Sequence, residues 1–279
     1  MQQNAVALKV ENMNLADAMG FSAPTTPTQS SLRRITGTVI QEVVEGKVAS
    51  SPVFKIISEE DTVFAREVEV RLLAERQKWQ RWDSENKTMQ KSVMSTTLNQ
   101  DLKDTLGTFN LGRRSGFIKD FAALPKNEQD LIRSISRVKV LMGKATLVDA
   151  FYEGGTPADG YDTEFAFIMD VKNRDSLKFI DSAVGKLMKK RINPAEHSIA
   201  LLGETRSLPN GSPYMVTNAS LSDFVGLKEG DNETLQDFLD YIESSNEYVK
   251  TKWAENNVET ISDSEKNIVS NIVDVEDFE

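Results

Sequence analysis

From Ile35 to about Leu98, hydrophobic and polar residues alternate with a period of two. Ile35–Val44 is rich in β-branched residues, Gly46 or Ser50–Pro52 can break it, and Val53–Ile57 is a second short run. In Phe64–Leu73 one face carries Phe64, Val68, Val70 and Leu72 and the other Glu67, Glu69 and Arg71, the pattern of a half-buried strand. Trp79–Trp82 and Thr88–Thr96 flank Asp83–Lys87, which reads as a hairpin connection. Four or five strands in succession, with no helix between them, predict a small antiparallel barrel or sandwich.

Beyond Asn99 the period changes. Residues 99–120 are irregular and glycine-rich, and Leu124-Pro125 then opens a helix with Leu131, Ile132 and Ile135 as its apolar stripe. Val138–Val148 and Phe165–Val171 predict strands. Asn173 predicts the N-cap of a helix through Lys190, with Leu177, Ile180, Val184, Leu187 and Met188 on one face. Ser198–Leu202 and Tyr214–Thr217 bracket a second hairpin turn at Leu208–Ser212. Asp231 predicts the cap of a last helix carrying Leu235, Phe238, Leu239, Ile242, Val249 and Trp253. At the other end, Ser22–Ser31 is a Pro/Ser/Thr linker that has nothing to bury. The expectation is an α+β body over 33–254, with a flexible arm at 1–32 and a disordered acidic tail at 255–279.

Charge sharpens this division. The chain has 279 residues and a formal charge of -10, yet residues 255–279 hold eight acids and one base, net -7. Residues 33–144 carry 20 Lys+Arg against 15 Asp+Glu, and 172–191 seven bases against two acids. A mildly basic body with a detachable acidic tail is a different object from a uniformly acidic protein. The absence of cysteine removes disulfides, thiol nucleophiles and thiolate metal sites, and the single histidine, His197, removes His-pair zinc sites. With no basic flank or long apolar run after Met1, neither a leader peptide nor a membrane span is expected, and the expected location is the cytoplasm.

The candidate chemistry is non-catalytic. Gly107–Gly116 lacks the Lys-Ser/Thr that a phosphate-binding P-loop needs after its glycines; Arg113-Arg114 stand there instead. The same stretch presents Arg113, Arg114 and Lys119 between Phe109 and Phe117. Guanidinium groups contact phosphates and aromatic faces stack on bases. In Arg76–Trp82, bases interleave with two tryptophans. On a strand Trp79 and Arg81 share one face while Lys78, Gln80 and Trp82 take the other, and one of the two indoles is expected to be structural. Asp61 with Glu85 and Lys87 has the residue types of a metal-dependent nuclease, but a hairpin turn is a poor place for a buried acidic cluster. His197 reads as a structural imidazole, and Lys186, Lys189, Lys190 and Arg191 as either a phosphate-contacting or a merely solvated helix face. No enzyme activity, cofactor or metal is expected.

The last residues, Asn271-Ile-Val-Asp-Val-Glu-Asp-Phe278-Glu279, set acids around a near-terminal aromatic. This ending resembles the C-terminal tails of single-stranded DNA-binding proteins of the phage replication type. The resemblance implies an OB-like antiparallel β-barrel with added helices, binding single-stranded DNA in replication and recombination. It also implies an acidic tail that recruits a polymerase, helicase or primase through Asp274, Glu276, Asp277 and Phe278, and competes with DNA for the basic surface. The strand-binding residues expected are Trp79, Arg81, Trp82, Arg113, Arg114 and Phe117. Ser31-Leu-Arg-Arg-Ile-Thr36 is similar in kind to basic arms that promote self-association along DNA, and 98–121 looks like uncharacterised tailed-phage proteins. The alternative is a phage virion structural or assembly protein that binds no nucleic acid.

Overall fold

The computed structural model describes residues 32–44, 47–57, 62–116, 118–161 and 163–273, with side chains described to Asn257 and not at 43, 44 and 47. The strands are β1 (Arg33–Val44), β2 (Lys47–Ile57), β3 (Thr62–Ala65), β4 (Glu67–Asp83), β5 (Thr88–Lys91), β6 (Ser136–Val148), β7 (Phe151–Tyr152), β8 (Phe165–Val171), β9 (His197–Ser207) and β10 (Pro213–Phe224). The helices are α1 (Lys126–Ser134), α2 (Arg174–Lys189) and α3 (Asp231–Val273). Asn173 caps α2 as its side-chain oxygen accepts from the N–H groups of Asp175 and Ser176. Gly230, not Asp231, occupies the N-cap position of α3, where its carbonyl accepts from Thr234 N–H. None of the described helices is long and apolar enough to cross a membrane.

The strands form one open sheet in the order β10-β9-β4-β6-β8-β1-β2-β3-β7, with β5 added beside β4. The expected OB-like antiparallel barrel is therefore incorrect: the sheet is mixed, with β1 parallel to β8, and it does not close. Its run of early strands is divided. β3 pairs with β2 and β7, while β4 pairs with β6, β9 and β5. A barrel needs a continuous ladder with fixed shear between its first and last strands. Here the sheet only curls, so that β9 and β10 lie over β1 and β2. Thr205 Oγ1 donates to Ser50 O at 3.5 Å, and added Cβ atoms would meet Met215 at Gly37 and both Pro52 and Met215 at Gly203. The main core fills this curl: Phe54, Val68, Val70, Leu141, Phe167 and Leu201 meet Leu177, Ile180, Ala183 and Leu187 of α2. A second cluster, Val138, Val140, Met142 and Ile168 with Phe238 and Ile242, fixes α3 on the other face of the sheet.

A bulge in β4 decides which side chains reach which face. Leu72 pairs with Gly143 and Ala74 with Met142, so Leu73 is one residue too many and the alternation changes phase. Val68, Val70 and Leu72 line the main core before the bulge; after it, Glu75, Gln77, Trp79 and Arg81 continue that face.

A loop at 92–112 covers the far end of this face. Buried Asp104 accepts from the N–H groups of Leu106, Thr108 and Leu111 and from the Thr108 hydroxyl, between 2.7 and 3.1 Å. The loop also grips α3: Trp253 Nε1 donates to Thr108 O, Asn256 Nδ2 donates to Thr105 O, and Phe109 packs on Trp253. Asp104→Asn puts an amide NH₂ against these donors. It is expected to cost about 1–2 kcal/mol in a urea melt and to free the loop's amides for hydrogen exchange.

Candidate nucleic-acid interface

At the distal end of β4 an open cavity of about 630 Å³ lies under the 92–121 loop, with Gln77, Trp79, Arg113, Phe121 and Arg137 among its lining. Register explains its floor. Trp79 pairs directly with Arg137 of β6, and Arg137 Nε donates to Gln77 Oε1 at 3.1 Å. The roof comes from the loop, where Asn110 and Leu111 adopt positive φ and aim the chain so that the Arg113 guanidinium lies 4.4 Å from the Trp79 ring centre.

The cavity's electrostatics are one-sided. Its lining contains no carboxylate, and among the described residues neither Arg113 nor Arg137 forms an ion pair. Burial pushes the Arg113 guanidinium below its ordinary value. It remains a cation, and desolvation without a counter-charge is a cost that an incoming anion relieves. A second cavity of about 590 Å³ near Glu69, Arg71, Glu164 and Lys228 has the opposite character, since its cations are already matched by acids. The Ser198 hydroxyl there donates to Glu69. Among the described residues no group of three or more metal-binding side chains stands together.

The expected strand-binding residues divide between two faces. Trp79 is 7% exposed and packs with Leu98, Leu102, Leu111 and Ile135, so it is the structural indole of the pair. Trp82 is 56% exposed and lies on the opposite face beside Met89, its cross-strand partner. Arg81 shares the Trp79 face but is engaged by Gln90, with Nε donating to Oε1 at 2.8 Å. Arg114 points outward to Glu128 at 3.1 Å, while Arg113 enters the cavity. Phe117 lies outside the described residues, as do Asp274, Glu276, Asp277 and Phe278, the arm at 1–31 and Asp61 of the nuclease triplet. Helix α3 itself continues through residues 255–273. Lys186, Lys189, Lys190 and Arg191 are exposed at the end of α2.

Arg137 and Phe121 escaped the sequence reading. Arg137 sits in an ordinary strand start and becomes part of the site only through its register opposite Trp79, which no local pattern encodes. Phe121 lies just past the Arg-rich loop, with the Arg133 guanidinium 5.2 Å from its ring. Compared with known protein families, curated proteins and solved structures, the chain matches none of them.

Proposed function

We propose that the chain binds single-stranded DNA, with the β4–β6 cavity as a principal contact and the acidic tail as the site for a replication protein. The observation that carries this reading is the pair of guanidinium groups, Arg113 and Arg137, with no carboxylate partner beside the aromatic rings of Trp79 and Phe121. A phosphodiester supplies the missing counter-charges, and a base leaves water against an aromatic wall. The cavity is open and has no arrangement of acids that would cleave what it holds. Its function on this reading is to bind and protect, without turnover. The four acids beyond α3, Asp274, Glu276, Asp277 and Glu279, would compete for the same cations at high local concentration and be displaced by the strand.

The test is anisotropy of a labelled oligo-dT across a salt series, using the full chain and Arg113→Gln/Arg137→Gln. The expected result is salt-sensitive binding that weakens at least about tenfold in the double variant, with the log–log salt slope smaller by roughly 1.4 for two lost phosphate contacts. Trp79 emission should change on binding as Arg113 leaves its ring for a phosphate. Truncation after Val273, which spares the Trp253 and Asn256 clamps, should tighten binding. No binding at low salt would overturn the reading and favour a virion or assembly protein.

A further inference from the structure

We infer that the β4–β5 hairpin carries a second strand-binding subsite on the face opposite the cavity, with Lys91 as its phosphate contact and Trp82 as its stacking surface. This rests on the single-strand-binding reading and extends it, because it gives the strand a path around the hairpin tip.

The geometry starts from the pairing of β4 with β5. Trp82 lies opposite Met89 and Gln80 opposite Lys91, and alternation puts Lys78 on the same side as both. Trp82 and Met89 are 56% and 40% exposed, so an apolar step with an indole face stands open at the end of the hairpin. Lys91 comes next, half-buried. Its ammonium lies 5.3 Å from the Tyr248 ring centre and, among the described residues, forms no ion pair.

The surroundings are cationic. Asp170 is the carboxylate in this group, and it is already shared by Lys78 at 3.1 Å and Arg34 at 3.8 Å. Three cations therefore stand against one acid. On the neighbouring turn of α3, Glu247 is taken by Lys250 at 2.6 Å. Burial, and then the like charge of Lys78, pushes the Lys91 ammonium below its ordinary value, and the negative charge of a phosphate oxygen would offset both effects. A lysine whose only duty was to cover apolar surface would carry its head into water. Lys91 instead keeps its head against Tyr248, beside other cations.

The two subsites are back to back. Trp79 and Arg81 face the cavity side of β4, while Lys78, Gln80 and Trp82 face the other, and the tip between them, Ser84–Lys87, is exposed along its whole length. A nucleic-acid strand long enough to round this tip reaches both. A strand too short to do so is held by the cavity alone.

The discriminating measurement compares oligo-dT of about 30 and about 6 nucleotides, lengths that bracket usual single-strand site sizes. The full chain, Lys91→Gln, Lys91→Arg and Trp82→Ala are each titrated across a salt series. Expected for the long oligo are at least about fivefold weaker binding by Trp82→Ala and a salt slope smaller by roughly 0.7 in Lys91→Gln. Lys91→Arg should restore the slope, and the short oligo should be unaffected throughout. Trp82 is exposed, so its replacement keeps the test valid even if Lys91→Gln impairs folding. The inference is overturned if neither Trp82→Ala nor Lys91→Gln alters long-oligo binding while Arg113→Gln/Arg137→Gln still does. If the wild-type chain binds neither oligo, the cavity reading itself has failed, and the subsite with it.

Discussion

Replacing Gly143 by alanine is expected to abolish most of the stability of the fold. Gly143 stands opposite the β4 bulge, and an added Cβ would overlap the carbonyl oxygen of Arg71 and lie 3.0 Å from its carbonyl carbon and 3.1 Å from Leu72 Cα. All three are backbone atoms in the middle of the longest ladder of the sheet, so no side-chain rotation relieves the contact. Either β6 moves away from β4 or the bulge is lost. Losing the bulge would turn Gln77, Trp79 and Arg81 to the wrong face. The expected cost exceeds about 3 kcal/mol, a large fraction of the total stability of an ordinary domain. Gly185 provides the control. It lies within α2 with no atom within 4 Å of an added Cβ, so Gly185→Ala should stabilise by roughly 0.5–1 kcal/mol. Urea melts of both variants decide the point. A Gly143→Ala protein with an unchanged midpoint would show that the bulge is not a fixed feature of the fold.

The second large effect belongs to Arg71, which is 2% exposed on the α3 side of the sheet. Its guanidinium donates to both carboxylate oxygens of Asp231 at 2.8 and 2.9 Å, to both of Glu164 at 2.8 and 3.0 Å, and to Ala195 O at 2.9 Å. Asp231 also pairs with Lys144, and Glu164 with Lys228. The cluster locks the first turn of α3 onto the sheet. Arg71→Met leaves two carboxylates short of their main partner and is expected to cost about 3–5 kcal/mol, part of it recovered in Arg71→Met/Asp231→Leu because the buried charge goes too.

The same cluster predicts an acid limb. The Arg71 hydrogen bonds hold the Asp231 carboxyl well below its ordinary 3.8. Burial works to raise Glu164, yet Arg71 and Lys228 outweigh it and hold that carboxyl below its ordinary 4.5. Both carboxyls are lower in the folded chain than in the unfolded one. Their contribution is therefore complete above about pH 5 and declines as pH falls through the ordinary carboxylate range towards the folded values. The urea midpoint should be level from pH 7 to about 5 and fall below it, with a shallower fall in Arg71→Met. An equally steep fall in the variant would assign the acid limb to other carboxylates.

Arg71 also shows where local reading stops. On an alternating strand its position beside Glu67 and Glu69 reads as a solvated face, and nothing nearby shows that a helix starting 160 residues later will bury it. Asp231 has the residue type of an N-cap and reads as one in the sequence. Its side chain accepts from Arg71, Lys144 and the backbone N–H of Lys228 instead, and Arg71 is the dominant partner because charge-assisted hydrogen bonds are the stronger ones. Trp79 and Trp82 illustrate the other side: alternation correctly placed them on opposite faces, but only the packing of the 92–112 loop shows which one is covered.

Local pattern is enough to mark the individual elements. β-Branched alternation marks β1, the second half of β2 and the first part of β4, while Asn173 and the 3.6-residue stripe mark α2, because these depend on neighbouring residues alone; Ser50–Pro52, read as a breaker, lies inside β2 and pairs with β1. Composition determines which chemistry is absent from the full chain, since no thiol is present and only one imidazole. Pairing was decided by tertiary structure. That β4 lies between β6 and β9, that β1 runs parallel to β8, and that the sheet curls without closing depend on contacts between residues far apart in the chain. The candidate site follows from the same cause. Arg113 is drawn over Trp79 by a loop and Arg137 is set beside it by register, so a constellation spread over 58 positions meets only after the sheet has formed.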